Sequence, residues 1–367
     1  MQHSAPSLAA QNKLITLFGH VFAKSGMQNT ITSPLSMYAC LAMLAEGSSG
    51  QTYDELARVF GYVSEGQVID PDMANALESL HAGCGKGAII KMCNMLFVNK
   101  MCPLKADFIK TVVTKHRAAA ENVDFGDAST TVKINSKIEQ STNGLIKDCI
   151  TDLSADTACV LVNTIYFKGI WKKKFDKSRT GLDVFTLADG KTVDVDFMAG
   201  EMSAALFTTT EAKYLSLPYE GDRIKFVVEL PTKKKLTQLD AGAVIKVATE
   251  SSVETVDVNM PRFKFEFKTD LIPVLEGLGI KGAIDGTGMH KMTDSDVRVS
   301  KVIHQAFIQV DEEGTEAAAA TAIVMLTYCM PMPSIRFDVS SPFFFHIVDS
   351  ATSTILFTGA VQKPEFK

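Results

Sequence analysis

EEGTEAAAATAIVMLTYCMPMP, residues 312–333, is the stretch on which the reading of this chain turns. Local rules make it a helix. Thr315 suits an N-cap, Glu316 the first turn, and Ala317, Ala318, Ala319 and Ala320 are the strongest helix formers. Against a helix, residues 322–330 are almost entirely apolar and show no polar face of helical period. The alternative is a strand. Thr315, Ala317, Ala319, Thr321, Ile323 and Met325 would then share one face, and the first four are small enough to slide between existing strands. No proline falls between Glu312 and Met330, so no backbone donor is missing from a ladder that forms later. Periodicity alone favours the helix.

Six further segments reverse that preference. They are Ile31-Thr-Ser-Pro-Leu-Ser36, Asn163-Thr-Ile-Tyr-Phe-Lys-Gly-Ile-Trp171 with Phe175, Met260-Pro-Arg-Phe263, Leu275-Glu-Gly-Leu-Gly-Ile280, Pro342-Phe-Phe-Phe-His346, and Ile355 to Ala360. In this order, and spread over nearly the whole chain, they resemble the serpin family. Residues 312–333 then resemble its hinge and reactive-centre loop. The resemblance implies an α+β serpin fold over residues 1–367 as one domain. Three β-sheets, a large central sheet A with sheets B and C, would be surrounded by roughly eight to nine helices, with the reactive loop exposed.

The same resemblance implies roles for particular residues. Glu312, Glu313, Gly314, Thr315 and Glu316 through Ala320 match the inhibitory hinge position by position. Non-inhibitory members tend to carry bulky, charged or proline residues there. Counting along the loop from Glu312 by the family's usual spacing puts Tyr328 before the scissile bond and Cys329 after it; Leu326 and Met330 stand close enough to serve a protease in another register. Tyrosine suits an apolar primary pocket, so chymotrypsin-like serine proteases are the expected targets, held as a covalent complex. Papain-like cysteine proteases, and a non-inhibitory role as chaperone or carrier, are the alternatives. Cys329, as a loop thiol, would be open to oxidation. Ser33, Ser36, Asn163 and His304 correspond to the shutter, a hydrogen-bonded cluster under sheet A. Trp171, Arg262 and Glu312 correspond to the breach, where the loop enters; an ion pair between Arg262 and Glu312 is expected.

Composition is consistent with these expectations. The 367 residues are 46% hydrophobic and 22% charged, ordinary for a globular protein, and neither a linker nor an internal repeat is visible. A formal net charge of −5 argues against a nucleic-acid binder. Glu65, Asp70, Asp72 and Glu78 occupy the segment where some relatives bind heparin through basic residues, which makes heparin an unexpected partner. The short basic run Lys172 to Lys174 suits a solvated strand end. Seven cysteines with no C-x-x-C spacing suggest neither a disulfide framework nor a zinc site. The N-terminus has no basic region leading into an apolar run, no Asn-x-Ser/Thr acceptor occurs, and no apolar segment is long enough to span a bilayer. A cytoplasmic monomer is expected, able to polymerise by inserting its loop into another copy; unconventional export or a removed signal is the alternative. No G-x-S-x-G, H-E-x-x-H, P-loop or G-x-G-x-x-G pattern occurs. His3, His20, His81, His116, His290, His304 and His346 are not clustered at ligand spacing. No enzyme activity, cofactor or metal is expected.

Overall fold

The computed structural model describes residues 6–315 and 335–366, apart from 66, 82, 84, 143, 145, 234, 235, 237, 238 and 251. The expectations for Glu316 to Ala320, Leu326, Tyr328, Cys329 and Met330 lie outside the described residues. In chain order the elements are α1 (Leu8–Lys24), β1 (Thr30–Thr32), α2 (Pro34–Gly47), α3 (Gly50–Phe60), α4 (Pro71–His81), β2 (Ala88–Asn99), α5 (Ala106–His116), β3 (Ala119–Val123), α6 (Ala128–Ser141), β4 (Cys159–Ile170), β5 (Gly181–Thr186) and β6 (Thr192–Thr208). There follow β7 (Ala212–Pro218), β8 (Ile224–Pro231), α7 (Ala241–Thr249), β9 (Glu254–Pro261), β10 (Phe263–Asp270), α8 (Ile272–Gly277), α9 (Gly282–Asp285), β11 (Lys301–Val310), β12 (Gly314–Thr315), β13 (Ile335–Asp338), β14 (Phe343–Asp349) and β15 (Thr354–Val361).

The first two helices begin where serine can cap them. Ser7 Oγ accepts from Ala10 N at 3.2 Å, and Ser33 Oγ accepts from Ser36 N at 3.2 Å with Pro34 at the first helical position. Every residue of α2 except Glu46 is buried. A helix apolar all round can only lie inside, and α2 packs behind the large sheet.

That sheet has the order β10-β11-β12-β4-β2-β3. On one of its faces Phe97, Val160, Val162 and Ile303 cluster with Ile134 and Ile138 of α6; on the other, Leu96, Leu161 and Ile165 join α2 in the main core. Alternate residues of β2 and β4 thus serve two cores, which is why β4 is buried almost throughout and reads as almost wholly apolar up to Tyr166. The remaining strands run β1-β15-β14-β8-β7-β6-β9-β13, with β5 paired to β6. The seventeen-residue β6 joins two sheets: Phe197 to Ala204 pair with β9, and Ala205 to Thr208 pair with β7.

Five stretches depart from what periodicity alone gives, four in a boundary and one in burial. Ser129 to Ile150 reads as one helix, but α6 stops at Ser141, and Gly144 adopts φ 81°. The chain then turns back, with Asn135 bonding both the amide and the carbonyl of Ile150 at 2.8 Å. Val256 to Phe267 reads as one alternating strand; it is β9 and β10, in different sheets, broken at Arg262 after Pro261. Val184 to Met198 and Ala204 to Pro218 break instead at Asp189-Gly190 and at Thr209 to Glu211, where Gly190 supplies φ 85°. Ile89 to Asn99 reads as wholly buried, yet Ile89 is 47% exposed and only the half from Asn94 onward is enclosed.

Candidate functional site

Between β11 and β4 lies a seam. Low in the sheet the two strands pair directly and in parallel, from Lys301↔Val160 to Phe307↔Tyr166. Higher up they part, and β12 occupies the gap. Thr315 pairs with Val310 on one side and with Gly169 on the other, and Gly314 pairs with Ile170; both pairings are antiparallel. Gly314 and Thr315, two residues of the hinge expected from the sequence, therefore already form a strand in the sheet.

A tight turn feeds β12. Asp311 N donates to Gly314 O at 2.9 Å, Gly314 N to Asp311 O at 3.2 Å, and Asp311 Oδ1 accepts from Glu313 N at 2.9 Å. Gly314 has φ 153°, and a Cβ there would collide with the carbonyl oxygen of Gly169. Only glycine lets the chain approach so closely.

Three consecutive acids, Asp311, Glu312 and Glu313, are buried at this turn. Buried carboxylates are costly unless paired, and each has partners. Glu312 Oε1 lies 3.5 Å from Arg262 Nε and accepts from Thr180 Oγ1 at 2.7 Å. Glu313 meets Lys174 Nζ at 2.5 Å and Lys177 Nζ at 3.1 Å. The hydrogen bond from Lys174 holds the Glu313 carboxyl below the usual carboxylate range. Lys174 is thus not a solvated strand end but one jaw of a clamp. Asp311 Oδ2 accepts from Gln309 Nε2 at 3.0 Å.

Trp171 anchors the turn from below. Its Nε1 donates to Asp311 O at 2.8 Å and its backbone N to Glu313 O at 3.0 Å. Its ring stacks on Tyr219 at 4.6 Å and 3°. The Tyr219 hydroxyl lies 2.5 Å from Thr315 Oγ1; burial pushes the phenol up, so it stays protonated. Tyr219 reaches the seam through an isolated bridge to Trp171. Sequence reading missed Tyr219 because a lone tyrosine at the end of a strand carries no pattern.

Further down the seam, Asn163 of β4 is the centre of a buried polar cluster. Its Nδ2 donates to Ser36 Oγ at 2.6 Å and to Asn94 Oδ1 at 2.5 Å; its Oδ1 lies 2.5 Å from His304 Nδ1. Ser33 sits one step away, donating to Leu356 O at 2.6 Å. The structure thus brings Ser36, Asn163 and His304 into direct contact and reaches Ser33 through α2. Asn94 is an addition. Its signal was faint: a polar residue in the buried half of a mostly apolar strand, directly opposite Asn163 in register. His304 is fully buried, and burial lowers its pKa to about 3, so it is neutral. Its Nε2 has no partner among the described residues.

No group of three or more His, Cys, Asp or Glu side chains among the described residues could hold a metal ion, and no helix among them is long and apolar enough to cross a membrane. The seam has room for a longer β12 only if β11 and β4 exchange one another for a new neighbour between them.

Comparison with known proteins bears on the whole chain. The family model for Serpin (serine protease inhibitor) matches residues 9–364. A serpin-like protein of Thermococcus kodakarensis is 34% identical over 350 residues, covering 92% of this chain and 81% of its own. Serpin B6 of Macaca fascicularis is 32% identical, covering 93% and 95% respectively. Among solved structures the native state of Tengpin, a thermophilic serpin, aligns with a TM-score of 0.87 at 23% identity over 99% of this chain and 96% of that one, a likeness of fold.

Proposed function

The chain belongs to the serpin family, and from that premise we propose that it is a suicide inhibitor of chymotrypsin-like serine proteases, cut between Tyr328 and Cys329. The observation that carries this reading is β12. Gly314 and Thr315 stand in the seam, antiparallel to both neighbours, in the place and direction a longer inserted strand would take.

The proposed steps start from that geometry. The protease attacks the Tyr328 carbonyl and forms its acyl intermediate. Scission of the Tyr328–Cys329 bond frees the segment N-terminal to it, while Thr315 keeps its place. The freed segment zips downward from Thr315, parting the direct β11–β4 ladder one residue at a time. Each lost parallel pair is replaced by two antiparallel ones. A net gain of one ladder at roughly 0.5–1.5 kcal/mol per hydrogen bond, with apolar burial added, drives the step by on the order of ten kcal/mol. The acyl-linked protease is carried along and its catalytic geometry is pulled apart, so deacylation stalls.

Asn163 and His304 lie in the path of the new strand, and their cluster must exchange partners as it passes. Small residues at Ala317, Ala319 and Thr321 suit that passage. The five described cysteines are free thiols; with the expected cytoplasmic location, they support a reducing compartment as the site of action.

The test is to mix the protein with chymotrypsin, boil in SDS, and identify products by mass spectrometry. The reading predicts a covalent adduct whose released peptide begins at Cys329. Complete turnover to nicked protein with active protease left over contradicts it.

A further inference from the structure

Beside the breach lies a cavity that the proposed inhibition does not use. It has a volume of about 270 Å³ and opens between the segment after β4 and strands β6, β7 and β8. Its hollow exists because two small side chains face each other, Ala205 of β6 opposite Ser216 of β7. Met202, Pro218 and Val253 complete an apolar lining. Val253 is 56% exposed at the mouth, whereas Met202 and Ala205 are buried.

Cations outnumber anions around this lining. Lys172, Lys173 and Lys225 face Asp222 and Glu250. Asp222 is shared: it meets Lys172 at 2.6 Å and stands 3.7 Å from Lys225. Glu250 Oε1 is turned to the Ser252 amide at 3.0 Å. Lys225 is the inner member, its side chain 17% exposed, and burial lowers its pKa. Lys225 thus shares its one carboxylate partner with Lys172, and a second carboxylate at Lys225 would balance the pair of ammonium groups.

We propose that this cavity binds a small amphipathic carboxylic acid, its alkyl part on Met202, Ala205, Pro218 and Val253 and its carboxylate at Lys225. Apolar lining with a few convergent charges is the usual construction of a small-molecule site. The site is wired to the hinge. Lys172 N donates to Pro218 O at 3.1 Å, so one wall is stapled by the two residues that precede Tyr219 and follow Trp171. Those aromatics in turn hold Thr315 and Asp311. A ligand that shifts Pro218 against Lys172 shifts the Trp171–Tyr219 stack.

Octanoate serves as the probe and octanol as its uncharged counterpart. Calorimetry reads binding and Trp171 emission reads the link, since Trp171 is the only tryptophan. Octanoate should bind saturably, octanol about tenfold more weakly, and Lys225→Glu should cost about tenfold in octanoate affinity, as loss of a charge-assisted contact does. Val253→Glu, at an exposed position that folding does not need, should weaken octanoate in the same direction. Absence of saturable binding to the unsubstituted protein, or equal affinity in both variants at unchanged melting temperature, overturns the site. Binding with unchanged Trp171 emission overturns its link to the hinge. Neither result touches the proposed inhibition, which the chymotrypsin adduct tests separately.

Discussion

Asn163 holds the middle of the large sheet together with one side chain. Replacing it by alanine strands Ser36 Oγ, Asn94 Oδ1 and His304 Nδ1 in the interior. Leaving buried polar groups unpaired costs about 1–3 kcal/mol each, so Asn163→Ala should lose about 3 kcal/mol or more in urea unfolding. His304 gives a pH signature. Its folded-state pKa of about 3 lies below the ordinary 6.5, so the unfolded chain takes up the proton first. The stability it contributes is complete above pH 6.5 and is lost as pH falls from there toward 3, at about 1.4 kcal/mol per unit. Between pH 7 and 5, where carboxylates stay ionised, the loss should be about 2 kcal/mol, and His304→Gln should flatten it. Ser36, Asn163 and His304 were legible only through resemblance; nothing in their spacing says that they meet. Asn94 and Tyr219 stayed hidden because each finds its role through register with a strand distant in sequence. Lys174 stayed hidden because its partner Glu313 lies far along the chain.

At the scale of elements, β12 is the part on which the proposed function turns, and it is two residues long. A strand so short depends on what clamps it. Glu313→Gln removes the charge held by Lys174 and Lys177, and Gly314→Ala forces the backbone off Gly169. Hydrogen exchange at the Thr315 amide should quicken by about tenfold in either variant if each clamp contributes about 1.4 kcal/mol. Thr315→Arg goes further. Thr315 is fully buried against Tyr219, with no room for a guanidinium. The freed segment could then not zip past its first residue, and the protein should become a substrate, cleaved at Tyr328 while chymotrypsin stays active. Many elements could be read from caps and periodicity, as the cap at Ser33 and the stop at Gly61 show. Where reading failed, as at Ser141 or Arg262, an apolar pattern ran across a change of partner. Periodicity reports which face is buried, not which neighbour buries it. That β12 is already in place before cleavage could not be read at all, since it depends on how far β11 and β4 stand apart.

For the molecule as a whole, the account requires that the intact chain is not its own most stable arrangement. The sheet is closed low down by β11–β4 pairing and wedged open at the top by Gly314 and Thr315, a state poised to gain a strand. Gentle heating should part the same seam, and a second copy's loop could then enter it, giving polymers visible by native electrophoresis. The most direct test is a comparison of melting temperatures before and after the bond following Tyr328 is cut. Insertion worth on the order of ten kcal/mol should raise the midpoint of a chain this size by on the order of 10 °C. A nicked protein that melts where the intact one does would contradict the account.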